Sequence, residues 1–378
     1  MQATGTTDEK VKVFMIQANE FASGYYRMEM VAEWLKKYST KIEVDFYKRG
    51  DPAKNLLWRM GMADVVMFQL QVNTLIAQII PICKANGIKV VMDMDDDLLN
   101  VPEWNPAYFM MGRKFLPFHK EPTTGAPMNV DKNKERLENL KKMLRDVDLV
   151  TLTGKGLRNE YSKFNKVKVI PNAIDPTLVK ESKRSGGLFD KKLRIFWQGS
   201  PTHAADLHSI KNVIQTITNK YPHVEWVVWG SQYEDFAKWM EIEPDRVVSI
   251  PTVPFKDYYK KLASLKMDIG IAPLADHDYN KCKSNIKWIE YAMCGIPAVC
   301  SDIVTYSDSV QHGKTGFLAH TWEDWVIYLS DLIEQPELRE LIAAQAKEQV
   351  LQDFNIEHTI KRWEDVFLSL HKSNPNKI

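Results

Sequence analysis

Residues 280–299 read Asn-Lys-Cys-Lys-Ser-Asn-Ile-Lys-Trp-Ile-Glu-Tyr-Ala-Met-Cys-Gly-Ile-Pro-Ala-Val, the most informative stretch of the chain. Ser284 or Asn285 is placed to cap a helix that continues to about Cys294, and Gly295 is a typical helix stop. The free N–H groups and the positive dipole end of such a helix suit a diphosphate. The stretch therefore predicts an anion-binding helix, followed by a strand at 298–300.

Two side chains of this helix are expected to share one face. Lys287 lies in the first turn, and Glu290 is three residues further on, one turn deeper. The ammonium adds a cationic contact for a diphosphate, and the carboxylate can accept hydrogen bonds from both hydroxyls of a ribose. Together with Lys283, Ser284 and Asn285, they meet the two needs of a nucleotide-sugar site.

Outward from this stretch, short apolar strand-like runs alternate with helical patterns, which predicts an α/β protein with parallel, doubly wound sheets. The alternation runs from Val11 to Ile170 and starts again at Arg194. Because such sheets bind ligands at the carboxyl ends of their strands, we expect two Rossmann-like domains whose parallel sheets face a central cleft. The expected parts are an N-terminal acceptor-side domain (1–178), a linker (179–192), a nucleotide-sugar-binding domain (193–355) and a C-terminal helix that crosses back to the first domain (356–378).

The composition is that of an ordinary globular protein, with 44% apolar and 26% charged residues. Lys and Arg number 50 against 49 Asp and Glu, so the net charge of +1 lacks the excess of a strong polyanion binder, although a local basic patch stays open. The cysteines show no zinc-binding spacing. Residues 1–10 are polar, and no apolar run approaches the roughly 20 residues that span a bilayer. We expect a cytoplasmic protein without disulfides, metal or transmembrane segment.

The order of several motifs resembles that of GT-B glycosyltransferases of the large, retaining family 4 type. The family's donor-binding segment is commonly written Ser-Pro-x-Lys-x-x-Glu-Tyr-x-Ala-x-Gly-x-Pro-Val, and this chain matches it at Ser284, Lys287, Glu290, Tyr291, Gly295 and Pro297. Further similar segments follow the family's order at 150–153, 170–175, 197–200 and 311–317. The resemblance implies a GT-B fold, donor phosphates held by Lys287 and a ribose held by Glu290. Gly199, beside Ser200, would let the backbone approach the phosphates closely.

The chain departs from the family pattern at three places, one of which is that the usual lysine downstream of the opening turn is not evident. Cys282 stands eight residues before Glu290, where the family usually has a second glutamate that meets the transferred sugar. The turn after Gly199 lacks the usual arginine. The resemblance implies a retaining, metal-independent transferase in which the diphosphate oxygen takes the acceptor proton. We expect no cofactor and a nucleotide-sugar donor, UDP-linked in preference to GDP- or ADP-linked.

The first loop of the N-terminal half is a predicted acceptor element. Gly24 is expected to form a turn between the first strand and the first helix, which would place Arg27 beside the cleft. This loop resembles the glycine-containing first loop of GT-B enzymes. Tyr25 and Tyr26 are candidates for the same site, with ordinary packing as the alternative.

Two aspartates and one histidine are the candidate catalytic residues. Asp95 and Asp96 follow a strand of the buried type, where they are expected to bond acceptor hydroxyls or act as a base, with helix capping as the alternative. Among the histidines, His119 is the candidate base. These side chains are essential if the enzyme inverts the anomeric configuration, and a retaining enzyme needs no such base.

Residues 101–130 break the alternation, with five prolines and with aromatic residues interleaved with basic ones, Trp104 and Arg113 among them. A long irregular loop in a compact domain is usually functional or mobile. We expect an acceptor-binding loop of the N-terminal domain, with a surface insertion packed on the domain beneath it as the alternative.

The expected acceptor is a glycan or a lipid-linked glycan, the commonest in the family resembled. One alternative is a phage-type DNA glycosyltransferase that acts on hydroxymethylated pyrimidines in the host cytoplasm, because the loop's basic and aromatic residues suit phosphate contacts and an extruded base. A GT-B-fold nucleotide-sugar epimerase and a non-catalytic sugar-nucleotide binder are further alternatives, the latter because of Cys282.

Overall fold

The structure, a computed structural model, describes residues 9–52, 55–121, 124–179, 192–230 and 235–373. Residue contacts divide the chain into two compact units. The first comprises Met1–Leu99, Val130–Asn172 and Ile356–Ile378, and the second comprises Asn100–Asn129 and Ala173–Asn355. The predicted linker lies outside the described residues, except at its two ends, 179 and 192.

The first unit contains a parallel sheet with the strand order β2-β1-β3-β4-β5-β6. Its central strands are buried along their length, as in a sheet covered by helices on both faces. The strands are β1 Val11–Ile16, β2 Ile42–Tyr47, β3 Val65–Gln69, β4 Lys89–Met94, β5 Leu149–Leu152 and β6 Val167–Val169. The helices are Ala22–Gly24, the π-helical turn Tyr25–Glu29, Met30–Tyr38, Leu56–Gly61, Thr74–Ala85, Val130–Asp146, Lys155–Tyr161 and Ile356–Lys372.

The last helix, Ile356–Lys372, packs into the core of this first unit. Trp363, Val366 and Phe367 are buried in one apolar cluster with side chains of β1, β3 and the helix Met30–Tyr38. The helix is strongly amphipathic, with apolar residues three and four apart on its buried face. The final helix therefore completes the core of the N-terminal part of the chain.

The second unit contains a parallel sheet with the strand order β12-β11-β10-β7-β8-β9. Its strands are β7 Leu193–Gln198, β8 Val224–Trp229, β9 Val247–Ile250, β10 Ile269–Ala272, β11 Ala298–Ser301 and β12 Phe317–Ala319. Its α-helices are Tyr108–Met111, Ala204–Ser209, Lys211–Lys220, Phe236–Met240, Phe255–Leu265, Asp278–Lys281, Ile286–Met293, Val304–Ser307, Trp322–Glu334 and Pro336–Asp353. The predicted α/β class, with parallel sheets, is confirmed.

The irregular segment, residues 100–129, groups with the second unit, whereas the sequence pattern predicts that it belongs to the N-terminal domain. Asn105 Nδ2 donates a hydrogen bond of 3.1 Å to the hydroxyl of Tyr279. The ring of Trp104 packs edge-on against His277 with a centroid distance of 4.7 Å. Direct side-chain contacts thus attach this segment to the residues just before the predicted donor helix. Among the described residues, no helix is both long and apolar enough to cross a membrane.

Candidate donor-binding site

The predicted donor helix runs from Ile286 to Met293. Gly295 adopts the left-handed conformation with φ +69°, and Ile296 N donates to Tyr291 O, so the glycine ends the helix as expected. Asn285 occupies the N-cap position, but its side chain caps no helical N–H and instead donates to Ser309 Oγ at 2.8 Å. Because the first turn lacks a side-chain cap, its N–H groups keep their affinity for an anion.

Glu290 is 4% exposed and lies at the meeting point of three elements of the second unit. Its Oε2 accepts hydrogen bonds from Gln198 Nε2 at 2.5 Å and from the Tyr258 hydroxyl at 2.7 Å. Gln198 ends β7, and Tyr258 belongs to the helix Phe255–Leu265. Burial and the charge of Glu290 raise the pKa of Tyr258 well above its usual value, which keeps this hydroxyl a donor. The carboxylate is therefore held in place rather than solvated.

The side chain of Tyr258 is itself fixed by an aromatic stack. Its ring lies parallel to that of Trp229, with a centroid distance of 4.9 Å and an interplanar angle of 18°. Trp229 Nε1 donates to Pro251 O at 2.9 Å, which anchors the indole. Since a tyrosine ring held by stacking loses little entropy on bonding, this arrangement favours a stable Tyr258–Glu290 contact.

Lys287 lies in a hydrogen-bonded chain with His203 and Asp206. Its Nζ is 3.1 Å from His203 Nε2, and His203 Nδ1 is 2.7 Å from Asp206 Oδ2. Burial and the neighbouring Lys287 charge lower the pKa of His203 to about 4, so the imidazole is neutral at pH 7. Burial also lowers the pKa of Lys287 to about 8. The Lys287 side chain is therefore mostly charged at pH 7 and loses its charge about one pH unit higher.

The remaining predicted donor residues surround this helix start. Lys283 Nζ donates to the Tyr279 hydroxyl at 2.9 Å and lies half-buried. Ser284 is half-buried, and Ser200 is exposed with its Oγ 2.7 Å from Thr202 Oγ1. A Cβ on Gly199 would fall 2.6 Å from the indole of Trp197 and 3.3 Å from the His203 ring. Glycine at 199 is thus required by side-chain packing within the unit.

Four side chains that the sequence pattern does not single out complete this site: His203, Asp206, Gln198 and Tyr258. His203 and Asp206 are spaced by three residues at the start of the helix after β7, where an acidic side chain readily contacts a basic one. That spacing was the available signal. Cys282, at the position of the family's second glutamate, is 3% exposed and packs as a small apolar residue in the interior.

Arg27 has a different place from the predicted one beside the cleft, because it is a core residue of the first unit. Its guanidinium is 1% exposed and forms a bidentate ion pair with Asp93. Nε donates to Oδ2 at 2.9 Å, and Nη2 donates to Oδ1 at 2.7 Å. Nη1 donates to Ile170 O at 2.6 Å. The guanidinium also lies over the ring of Trp363, 5.0 Å from its centroid. Because its guanidinium is buried and contacts Asp93, Ile170 and Trp363, Arg27 is a structural residue of this core.

The first loop also differs in backbone from the predicted glycine turn. Gly24 has φ −63° and closes the short helix Ala22–Gly24, which continues into the π-helical turn. A Cβ at this position would lie 1.8 Å from Asn19 O, so glycine is needed for the close approach of that loop. Tyr26 is buried in the core, and Tyr25 is half-buried beside it.

Asp95 lies immediately beyond the carboxyl end of β4 and is partly buried. Burial and the nearby Asp93 raise its pKa from 3.8 to about 6. Three buried side-chain atoms near the carboxyl ends of the strands have no hydrogen-bond partner among the described residues. They are Asp95 Oδ1, Gln17 Nε2 beyond β1 and Thr153 Oγ1 beyond β5. Asp96 instead accepts a bond from Asp97 N at 3.1 Å, as in a local turn.

The raised pKa of Asp95 predicts a stability change. Since its folded pKa exceeds its unfolded value, the group stabilises the fold below about pH 4 and loses this contribution as pH rises through about 6. Asp95→Asn is therefore expected to raise the free energy of unfolding by about 1–3 kcal/mol at pH 7.5, with the gain shrinking toward pH 4. Thermal unfolding of the wild type and of Asp95→Asn across this pH range measures the change in stability. An equal increase in stability at every pH would contradict an origin in the titration of Asp95.

The other predicted acceptor residues lie on the irregular segment of the second unit. His119 is buried against the Tyr108 and Phe118 rings, and its Nε2 is 2.6 Å from Glu103 O. This local packing gives His119 a structural place. Trp104 is 42% exposed and Arg113 is exposed. The described residues contain no group of three or more His, Cys, Asp and Glu side chains arranged to hold a metal ion.

Comparison with known proteins finds a family match in the C-terminal half of the chain. Residues 208–365 match the family model described as "Glycosyl transferase-like", a segment that includes Tyr258, Lys287 and Glu290. Over this segment, the chain is similar to glycosyltransferases. No curated protein matches the sequence significantly.

Three solved structures with the same fold cover almost the whole chain. Sucrose-phosphate synthase from Thermosynechococcus elongatus is 13% identical, with a TM-score of 0.65 over 96% of this chain and 100% of that one. Anabaena HepE in complex with UDP-glucose is 15% identical, with a TM-score of 0.65 over 95% and 99%. A glycosyltransferase from Rickettsia africae is 12% identical, with a TM-score of 0.63 over 96% and 99%. At these identities, the likeness establishes the fold.

Proposed function

We propose that the protein transfers a sugar from a nucleoside diphosphate sugar to an acceptor hydroxyl, with the donor bound in the second unit. The observation that carries this function is the placement of Lys287 and Glu290 on one short helix whose N-terminus lacks a side-chain cap. Helix N–H groups and a buried ammonium suit a diphosphate, and an immobilised carboxylate suits the two hydroxyls of a ribose. HepE, which has the same fold, was solved with UDP-glucose bound, which supports a UDP-sugar donor.

In this proposal, the leaving diphosphate is stabilised by the helix N-terminus, Lys287 and Lys283. Preorganised donors of this kind stabilise developing negative charge without a metal ion. The resemblance to retaining enzymes supports transfer with retention, in which the diphosphate oxygen accepts the proton of the acceptor hydroxyl. Asp95 then serves the acceptor as a hydrogen-bonding group rather than as an obligatory base, and the acceptor is a glycan or a lipid-linked glycan.

A transfer assay tests the function directly. Radiolabelled UDP-, GDP- and ADP-sugars are incubated with the protein, with buffer alone, lipid-extract glycans or hydroxymethylated DNA as acceptor. Label on glycan from the UDP-sugar, and the anomeric configuration of the product by NMR, would support the proposal in both parts. Label on DNA would replace the acceptor proposed here. The absence of any donor turnover would contradict the function.

Donor binding is expected to weaken at alkaline pH. The charged Lys287 ammonium favours the diphosphate, and its pKa of about 8 in the free protein means that it loses this charge above that pH. Affinity for UDP-glucose should be constant below about pH 7.5 and then fall by up to about tenfold per pH unit. Calorimetric titration between about pH 7 and 9 measures this. Lys287→Met should bind weakly with no such decline, and a wild-type affinity that is flat across the range would contradict the role of Lys287.

A further inference from the structure

The surroundings of Lys287 contain a second, ordered layer of hydrogen bonds. Asp206 is 1% exposed, and its Oδ1 accepts from Ala275 N at 3.0 Å and from Asn280 Nδ2 at 2.7 Å. Its Oδ2 is 2.7 Å from His203 Nδ1. Because a buried carboxylate oxygen at this distance accepts a hydrogen bond, the proton of the His203 ring lies on Nδ1.

The protonation of Nδ1 decides what the ring offers to Lys287. In a neutral imidazole with its proton on Nδ1, Nε2 carries a lone pair and is an acceptor. Nε2 lies 3.1 Å from Lys287 Nζ, so the ammonium donates to the ring. A neutral acceptor orients the ammonium without neutralising its charge. A carboxylate at the same place would pair with the ammonium and compete with a phosphate for it.

We propose that His203 is a positioning residue that aims the Lys287 ammonium at the donor diphosphate, and that Asp206 selects the His203 tautomer that does so. This inference rests on the proposed function. The lysine stem is flexible and its ammonium has three donors, of which His203 engages one and leaves the others for phosphate oxygens. The charged groups that face Lys287 are Asp206 and Glu290, which favour its charge, and Lys283, which opposes it.

Asp206→Asn tests the tautomer. The amide oxygen can still accept from Ala275 N and Asn280 Nδ2, but an N–H now faces His203 Nδ1. That nitrogen becomes the acceptor, the ring proton moves to Nε2, and the resulting N–H points at the Lys287 ammonium. We expect the affinity for UDP-glucose, measured by calorimetry, to fall about ten- to hundredfold, the range for a lost hydrogen bond to a charged group.

Two substitutions of His203 separate its two nitrogens. In His203→Gln, the side-chain oxygen reaches the position of Nε2 and keeps an acceptor for Lys287, so affinity should stay within about threefold of wild type. His203→Asn reaches only the position of Nδ1 and should lose as much affinity as Asp206→Asn. A residue that merely fills space would respond similarly to both changes. His208→Ala, which changes an exposed histidine on the same helix as Asp206, is the matched control and should bind as wild type.

The tautomer has its own spectroscopic readout. NMR of protein labelled with nitrogen-15 in histidine distinguishes protonated from unprotonated ring nitrogens, and we expect the His203 proton on Nδ1 in wild type and on Nε2 in Asp206→Asn. His203→Asn serves to assign the signal. If Asp206→Asn does not fold, the wild-type spectrum and the glutamine–asparagine pair test the inference without it.

The outcomes separate this inference from the function on which it rests. If wild type binds no nucleoside diphosphate sugar, the proposed function fails and the positioning role falls with it. If wild type binds and Lys287→Met weakens binding, but His203→Asn binds as wild type, the function stands and the positioning role is overturned. A wild-type His203 proton on Nε2 would overturn it as well. The inference is supported if His203→Asn loses affinity for UDP-glucose and His203→Gln retains it.

Discussion

Replacement of Glu290 by alanine is expected to lower kcat/KM for the nucleotide-sugar donor by about 10²–10⁴-fold. The side chain is proposed to accept two ribose hydroxyls, and each hydrogen bond to a charged group contributes about 1.5–3 kcal/mol. Most of the loss should appear as weaker donor binding, because the ribose remains bound in both the ground state and the transition state. Steady-state kinetics with a varied donor concentration measures the effect.

The structural part of this change needs its own control, because Glu290 also accepts bonds from Gln198 and Tyr258. Tyr258→Phe removes one of these bonds but keeps the carboxylate, so its kinetic effect should be much smaller than that of Glu290→Ala. Glu323→Gln, on the exposed first turn of Trp322–Glu334, should change neither kinetics nor thermal stability. Donor kinetics in Glu290→Ala that match those of Tyr258→Phe would show that Glu290 is a packing residue and does not bind the donor.

The largest effect on stability is expected in the first unit, from Arg27→Ala. The substitution leaves Asp93 buried without its ion-pair partner, and breaking a buried pair in this way costs about 3–5 kcal/mol. Asp93 keeps its bond from Thr151 Oγ1 at 2.6 Å, which does not offset a buried charge. Urea unfolding is suitable, with the first unit's transition followed separately, because a two-unit protein need not unfold in one step.

A double substitution separates the pair from the cavity that alanine creates. Arg27→Met with Asp93→Leu replaces both charges with apolar side chains of similar volume, and such replacements of buried ion pairs are often neutral or stabilising. We therefore expect the double variant to be more stable than Arg27→Ala. Lys361→Ala, which breaks an exposed pair on the last helix, should leave the free energy of unfolding unchanged. A similarly small effect of Arg27→Ala would mean that water reaches Asp93.

The donor helix could be predicted from sequence because its information is local. Gly295, the Lys287–Glu290 spacing and the apolar strand that follows lie within 20 residues, so a helix stop and a shared face follow from spacing alone. The alternation of strands and helices likewise predicted parallel sheets. Gln198 and Tyr258 lie 92 and 32 residues from Glu290 in the chain, and neither type has a chemistry specific enough to indicate the partner.

Arg27 and residues 100–129 show where a local pattern misleads. An arginine after a glycine at a strand end is typical of a ligand loop, and nothing nearby in sequence indicates that Asp93 and Trp363 enclose it. The irregular segment follows β4 in the chain, which predicts that it belongs to the same domain as β4. Its attachment is decided by Asn105 and Tyr279, which are 174 residues apart in the chain.

The division of the chain into units has a consequence for synthesis on the ribosome. The polypeptide passes from one unit to the other four times, after residues 99, 129, 172 and 355. The core of the first unit is closed by Trp363, Val366 and Phe367, which are translated after all the strands of the second. Nascent chains commonly fold in order from the N-terminus. Here the N-terminal segment emerges first, but part of its apolar core stays exposed to water until the last helix is synthesised. The second unit can therefore fold before the first.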